Sequence, residues 1–241
     1  MPPAHLSPSR LAGAAAAVLL SVPALSACSG GDDGEGDGKT PEEVLATAAE
    51  TLTSTSGVQL DLTTADLPPG VTGIVKAAGT AITEPPAFEG TISVVLTGNT
   101  FEVPVIAVDD TVYAQIPLAP GWNEVDPQQY GAPDPATLID GETGFPALLT
   151  RTEGAEKGKS VRGGANNDEV LTTYVGTVPG SDMKQVIPSS TGESFDAEWQ
   201  VTDEGELRQA DLTGVFYPDS EEMTYTVTFD EYGTEKEITA P

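Results

Sequence analysis

The sequence predicts an α+β domain built on one long antiparallel sheet. Two observations point there: the hydrophobic period changes from helical over residues 40–52 to two from Gly57 onward, and the alternating runs are joined by short polar turns. A third narrows the class, because the chain has no strand–helix–strand rhythm and no glycine-rich phosphate loop, which leaves a parallel α/β fold unsupported.

The first element is a helix opening at "TPEEVLATAAETL". Thr40 is suited to the N-cap, Pro41 to the first helical position where no N–H is needed, and Glu43 completes a capping box three residues after Thr40. Val44, Leu45, Ala48 and Leu52 fall on one side, so the helix packs against something. Strands follow. Val58, Leu60 and Leu62 alternate with polar residues; Ile92, Val94 and Leu96 share a face with Val95 opposite; then come Phe101, Val103 and Val105, and Val112, Ala114 and Ile116. "TGNT" at 97–100 and "VDDT" at 108–111 are turns of the kind that join antiparallel neighbours.

Residues 126–151 interrupt the meander with Pro127, Pro133, Pro135 and Pro146, and "FPALL" at 145–149, which contains Leu148, predicts a short apolar helix. A second meander occupies 159–162, 170–178, 195–201, 207–217 and 223–229. Within it "GSDMKQVIP" predicts a short helix capped by Ser181. The two predicted helices 40–52 and 145–149 can cover part of one sheet face. If they cover it incompletely an apolar groove remains, suited to acyl chains; if completely, the core is filled, and periodicity alone favours that second outcome.

The N-terminus carries a targeting signal. Arg10 supplies positive charge, residues 11–20 form an apolar stretch too short for a spanning helix, and Ser26 and Ala27 precede Cys28, the one cysteine of the 241 residues. "LSAC" resembles the bacterial lipobox, in which the cysteine becomes the mature N-terminus and carries a diacylglyceryl group; the other reading is a stray free thiol. Residues 29–39, "SGGDDGEGDGK", are acidic and glycine-rich, a flexible tether reaching about 20 Å. The expected organisation is therefore a signal peptide at 1–27, a lipidated Cys28 with tether at 28–39, and one domain at 40–241.

Charge and chemistry exclude much. With 38 acidic against 10 basic residues the net charge is -28, so nucleic acid is an unsuitable partner and anionic lipid surfaces repel the molecule as a whole. The one histidine, His5, lies in the leader, which removes histidine-based triads and ordinary zinc sites from the mature chain. Asp33, Glu35 and Asp37 form only the first half of a calcium loop, whose twelfth position is Val44. The remaining carboxylates fall at turns and exposed positions, so no enzyme activity and no cofactor are expected, although paired carboxylates in space escape a sequence reading.

In their order along the chain these segments resemble the LppX/LprAFG family of mycobacterial and actinobacterial envelope lipoproteins, closest to its LprG branch. The matching features are the lipobox at 25–28, the polar tether, "SGVQLDLT" at 56–63, "EGTISVVLTG" at 89–98, "VDDTVYAQI" at 108–116, Trp122, "DPATLIDGETGFPALL" at 134–149, "GSDMKQVIP" and "QADLTG". The resemblance implies a curved antiparallel half-barrel with helices on its concave side, enclosing an apolar cavity that accepts acylated lipids or glycolipids. It assigns Ile92, Val94 and Leu96 to the cavity wall, with Val58, Leu60, Phe101, Val103, Val105 and Leu148 beside them by alternation and position. It further implies a monomer held through Cys28 on the outer face of the cytoplasmic membrane, carrying lipid across the envelope, in some members beside a membrane exporter. The alternative is a non-catalytic scaffold with a filled core.

Overall fold

The computed structural model describes residues 38–241 apart from 66, 118 and 165–167, so the leader, Cys28 and most of the tether lie outside the described residues. Helix α1 (Pro41–Ser54) begins at the expected capping box: Thr40 Oγ1 accepts from the Glu43 N–H at 3.3 Å, and the Thr40 N–H donates to Glu43 Oε2 at 2.8 Å. Its buried face is Leu45, Ala48, Ala49 and Leu52.

Strands β1 (Gly57–Thr63), β2 (Gly73–Thr83), β3 (Pro86–Leu96), β4 (Asn99–Val108), β5 (Thr111–Ala114) and β6 (Asn123–Val125) form the first meander. Two 3-10 turns (Pro127–Tyr130 and Pro135–Thr137) and helix α2 (Phe145–Thr150) lead to β7 (Glu153–Gly163) and β8 (Glu169–Pro179). Helix α3 (Gly180–Val186) precedes β9 (Ser194–Thr202), β10 (Leu207–Gly214) and β11 (Met223–Asp230). Among the described residues these eleven strands make a single antiparallel sheet in the order β6-β5-β4-β3-β2-β1-β11-β10-β9-β8-β7. The first strand pairs with the last, so the two meanders are joined at β1–β11, and the sheet ends openly at β6 and β7.

The predicted turns have the geometry that two-residue hairpins need. Thr97 and Gly98 have φ of 50 and 79, and Asp109 and Asp110 have 53 and 58, which matches the right-handed twist of the flanking strands. Three details differ from expectation. Strand β2 was not visible, because its inner positions Ala77, Gly79 and Ala81 are small; Gly79 pairs with Gly90 of β3, and the Phe88 ring lies over both, filling the space their missing side chains leave. Strands β5 and β10 stop at Ala114 and Gly214, short of Ile116 and Tyr217. Helix α3 has no side-chain cap: Ser181 lies inside it and Pro179 occupies the N-cap.

The core lies between the helices and one face of the sheet. Trp199, Phe195, Phe216, Phe229, Leu45, Leu52 and Leu148 are each exposed by less than 2%. Phe216 stacks between Phe195 and Tyr225 at 4.8 and 4.9 Å, and Phe145 of α2 meets Phe229 edge-on at 5.5 Å. The buried indole is satisfied, its Nε1 donating to Thr152 Oγ1 at 3.1 Å, while that hydroxyl donates to Leu148 O at 2.8 Å and so ties the end of α2 to β9. A smaller cluster sits on the outer face, where Ile238 of the C-terminal tail covers Ile82, Ala87, Ile106 and Val108 beside Trp122.

Candidate functional site

Register arranges the inner face of the first meander in rows. Val58, Ala81, Phe88 and Ala107 form one row; Leu60, Gly79, Gly90 and Val105 the next; Leu62, Ala77, Ile92 and Val103 the third; Ile74, Val94 and Phe101 the fourth. Burial declines along these rows. The first is closed under the helices, with exposures of 0%, 0%, 3% and 1%. In the third Val103 is buried while Leu62, Ala77 and Ile92 are partly exposed; the fourth is partly exposed throughout, and Leu96 at the hairpin end is 36% exposed. The helices therefore seal one end of the apolar face and leave the β3–β4 hairpin end uncovered.

What covers the middle of this face is slight. The 3-10 turn Pro135–Thr137 lies against β2, β3 and β4, and neither 3-10 turn contains a buried residue. Ala136 and Leu138 are only partly buried against the core. Ile139, 1% exposed, anchors the far end of this segment in the core, and carboxylates hold its turns. Asp134 Oδ1 accepts from the Ala136 N–H at 2.9 Å, and Asp140 Oδ1 accepts from the N–H groups of Glu142 and Thr143 at 2.9 Å and the Thr143 hydroxyl at 2.8 Å. Burial alone pushes the Asp140 carboxyl up, but those donors together outweigh it and hold the group below its ordinary value.

The same end is pinned where β1 runs out. Tyr225 on β11 donates to Ile74 O at 2.7 Å, Tyr217 meets the Tyr225 hydroxyl at 2.7 Å, and the Ile74 N–H donates to the Tyr217 oxygen at 3.2 Å. Burial first, and the neighbouring Tyr217 second, push the Tyr225 phenol far above its ordinary value. Beside this clasp Thr64, Ala65 and residues 67–72 border a groove of about 430 Å³ with Val75, Val95 and Thr97, and among the described residues no charged side chain lines it. The outer face is chemically opposite: a groove of about 380 Å³ there is bordered by Glu156, Asp196, Glu198 and Asp211.

The expected wall residues thus separate into two groups. Ile92, Val94, Leu96 and Phe101 gather at the uncovered end, on neighbouring strands of one face. Val58, Leu60, Val103, Val105 and Leu148 belong to the packed core, each exposed by 6% or less. Cys28 lies outside the described residues. Ile74, Leu62 and the Tyr217–Tyr225 pair were missed; Tyr225 did stand in a visible alternating run, whereas Ile74 sits at a bulge in β2 that small residues conceal.

These features define a class first: an open half-barrel of one antiparallel sheet that turns an apolar inner face toward its own few helices. The chain belongs to the LppX_LprAFG lipoprotein family, whose sequence profile matches residues 40–240. Among solved structures it is similar to LprF from Mycobacterium bovis, with 13% identity and a TM-score of 0.67 over 83% of this chain and 96% of that one. It is likewise similar to the Mycobacterium tuberculosis lipoprotein LppX, with 14% identity and a TM-score of 0.60 over 83% and 98% of the two chains. No curated protein matches. Among the described residues no helix is long and apolar enough to cross a membrane.

Proposed function

We propose that this chain is a non-catalytic lipoprotein, anchored through lipidated Cys28 at the outer face of the cytoplasmic membrane, that binds acylated lipids or glycolipids on the inner face of its half-barrel and carries them across the envelope. One observation carries the reading: the inner face stays apolar as far as Leu96, while its cover ends two rows earlier. An acyl chain is the ligand such a strip suits, because it needs no polar partner and each buried methylene contributes about 0.8 kcal/mol. About ten methylenes would then supply roughly 8 kcal/mol, the scale of micromolar binding. Ile92, Val94, Leu96 and Phe101 form the entry wall, and displacement of the Pro135–Thr137 turn extends it toward Val103 and Val105.

The test is native mass spectrometry of tag-free protein from its own host, beside Ile92→Trp, whose indole occupies the strip. The expected result is a stoichiometric lipid in the parent and at least a severalfold lower load in the folded variant. An unchanged load in a variant with parental melting behaviour overturns the wall. Absence of lipid from both supports the second reading, a scaffold with a filled core, which the close packing of Val58, Leu60, Val103, Val105 and Leu148 favours.

A further inference from the structure

We propose that the hairpin β7–β8 is the surface with which the anchored domain lies against an anionic phospholipid bilayer; this rests on the anchoring of Cys28. The first observation is charge. In a chain of net charge -28, three of the nine basic residues beyond residue 37 fall within six positions, Lys157, Lys159 and Arg162, on the outermost strand. Among the described residues none of them has a carboxylate within 4.0 Å, whereas Arg151, Arg208 and Lys236 are paired. Glu153 begins β7, and Glu156 directly precedes Lys157 but lines the acidic outer groove beside Glu198. Asp168 lies across the hairpin, and Glu169 is held by Arg208 through bonds of 2.8 and 2.7 Å.

The second observation is apolar exposure. Among the described residues five large apolar side chains are exposed, and two stand on this hairpin beside the cations, Val161 at 40% and Val170 at 47%, while Val175 at 38% lines the acidic groove with Glu156 and Glu198. Val170 pairs directly with Arg162, and Val161 with Leu171. Lysines on an edge strand are explained by protection against strand pairing. Exposed valines beside them are not. Cations interleaved with apolar side chains suit a lipid headgroup layer, which takes up both.

The third observation is where the tether enters. The C-terminal end of α1 leads into β1, Thr47 and Thr51 lie against Gly205 of the β9–β10 turn, and α1 also touches β7. Strand order puts β9 and β10 between β1 and β7. The helix therefore crosses this end of the sheet from the β7 side to β1; its 14 residues span about 21 Å, close to the roughly 24 Å of five strand spacings. Thr40, where the tether arrives, accordingly lies on the side of the β7–β8 hairpin. The hairpin also overhangs its neighbour, since β8 pairs with β9 only from Leu171 onward. The acidic remainder is repelled by the same bilayer, which leaves this hairpin as the side turned to it and points the uncovered Leu96 end away from the anchor.

The lipidated full chain tests this. Lipidation blocks the one native cysteine, so Val170→Cys offers a unique thiol for an environment-sensitive dye, and Glu102→Cys, exposed near the opposite end of the sheet, is the control. The probes are vesicles of phosphatidylcholine alone or mixed equally with phosphatidylglycerol, both containing spin-labelled lipid. Expected are sedimentation with both, quenching at position 170 about threefold stronger on the anionic vesicles, and little quenching at 102. The excess should vanish in about 0.5 M salt and in a chain also carrying Lys157→Glu, Lys159→Glu and Arg162→Glu. Equal quenching on both vesicles, with sedimentation intact, overturns the hairpin. Shielding of the label without lipid, together with a dimer mass in detergent, assigns β7 to a second copy and overturns it as well. Failure to sediment with either vesicle overturns the Cys28 anchor instead, and the same anionic-to-neutral quenching ratio at millimolar lipid then decides the hairpin.

Discussion

At Ile74 the backbone N–H and C=O are both taken by side chains, and this explains why two tyrosines sit in an apolar half-barrel. Tyr225 donates to the carbonyl and Tyr217 accepts from the N–H, so the bond between the phenols runs from Tyr217 to Tyr225 and the ring of hydrogen bonds is closed. Ionising either phenol breaks it. The Tyr225 phenol is raised above its ordinary value by burial and by Tyr217, so the stabilisation is complete below the unfolded value of about 10 and lost as pH climbs toward the folded one. Tyr225→Phe is expected to cost about 1–2 kcal/mol in urea unfolding at neutral pH, through a buried carbonyl left without its donor. The variant should also show a shallower loss of stability above about pH 10, the remainder coming from Tyr232, whose phenol burial and then Glu206 likewise raise, and from Tyr174, raised by burial and then Asp203. An unchanged alkaline slope would show that the clasp does not govern it. None of this was legible in the sequence, because Ile74 and Tyr225 are strand residues far apart in the chain, whereas the shared face of Ile92, Val94 and Leu96 needed only alternation.

Elements were legible where a local pattern sufficed and hidden where the partner supplied it. Helix α1 announced itself through Thr40, Pro41 and Glu43, and the structure shows both capping bonds. Thr40→Ala is therefore expected to cost about 1 kcal/mol by leaving the Glu43 N–H without its side-chain acceptor, while the backbone N–H at position 40 still faces the Glu43 carboxylate, read as a lower urea midpoint with unchanged slope. A change in slope would mean that the native state itself had loosened. Strand β2 lacked any such signal. Ala77, Gly79 and Ala81 provide no apolar alternation, and the strand exists because Phe88 of β3 and Val58 and Leu60 of β1 surround it with bulk. Helix α3 shows the converse error: Ser181 looked like a cap from sequence, yet strand β8 runs directly into the helix and the Gly180 N–H is taken by Glu193 O at 2.8 Å. A helix start that continues a strand needs no side-chain cap.

On the scale of the whole molecule the question is how an open sheet of two meanders behaves as one body. Each meander is local in sequence, but β1 pairs with β11 and neither half buries its inner face alone: α1 packs on α2, β7 and β10, while Phe145 of α2 meets Phe229 of β11. The seam strand β11 is buried at every second residue, Met223, Tyr225, Val227 and Phe229, so the contacts that join the halves are also core contacts. Unfolding should therefore be a single transition. The two tryptophans allow a direct check, because Trp122 packs on the outer cluster of the first meander and Trp199 is buried in the second. Trp122→Phe leaves fluorescence reporting on one half, and Trp199→Phe on the other. In each of these backgrounds Phe229→Ala is expected to cost about 3–5 kcal/mol, the range for a large buried aromatic. Compared with its own single-tryptophan parent, the reporter in the first meander should shift as far as the reporter in the second, although the substituted side chain belongs to the second. If only the Trp199 reporter moves, the halves are separate folding units and the β1–β11 seam is a contact between them rather than part of a common core.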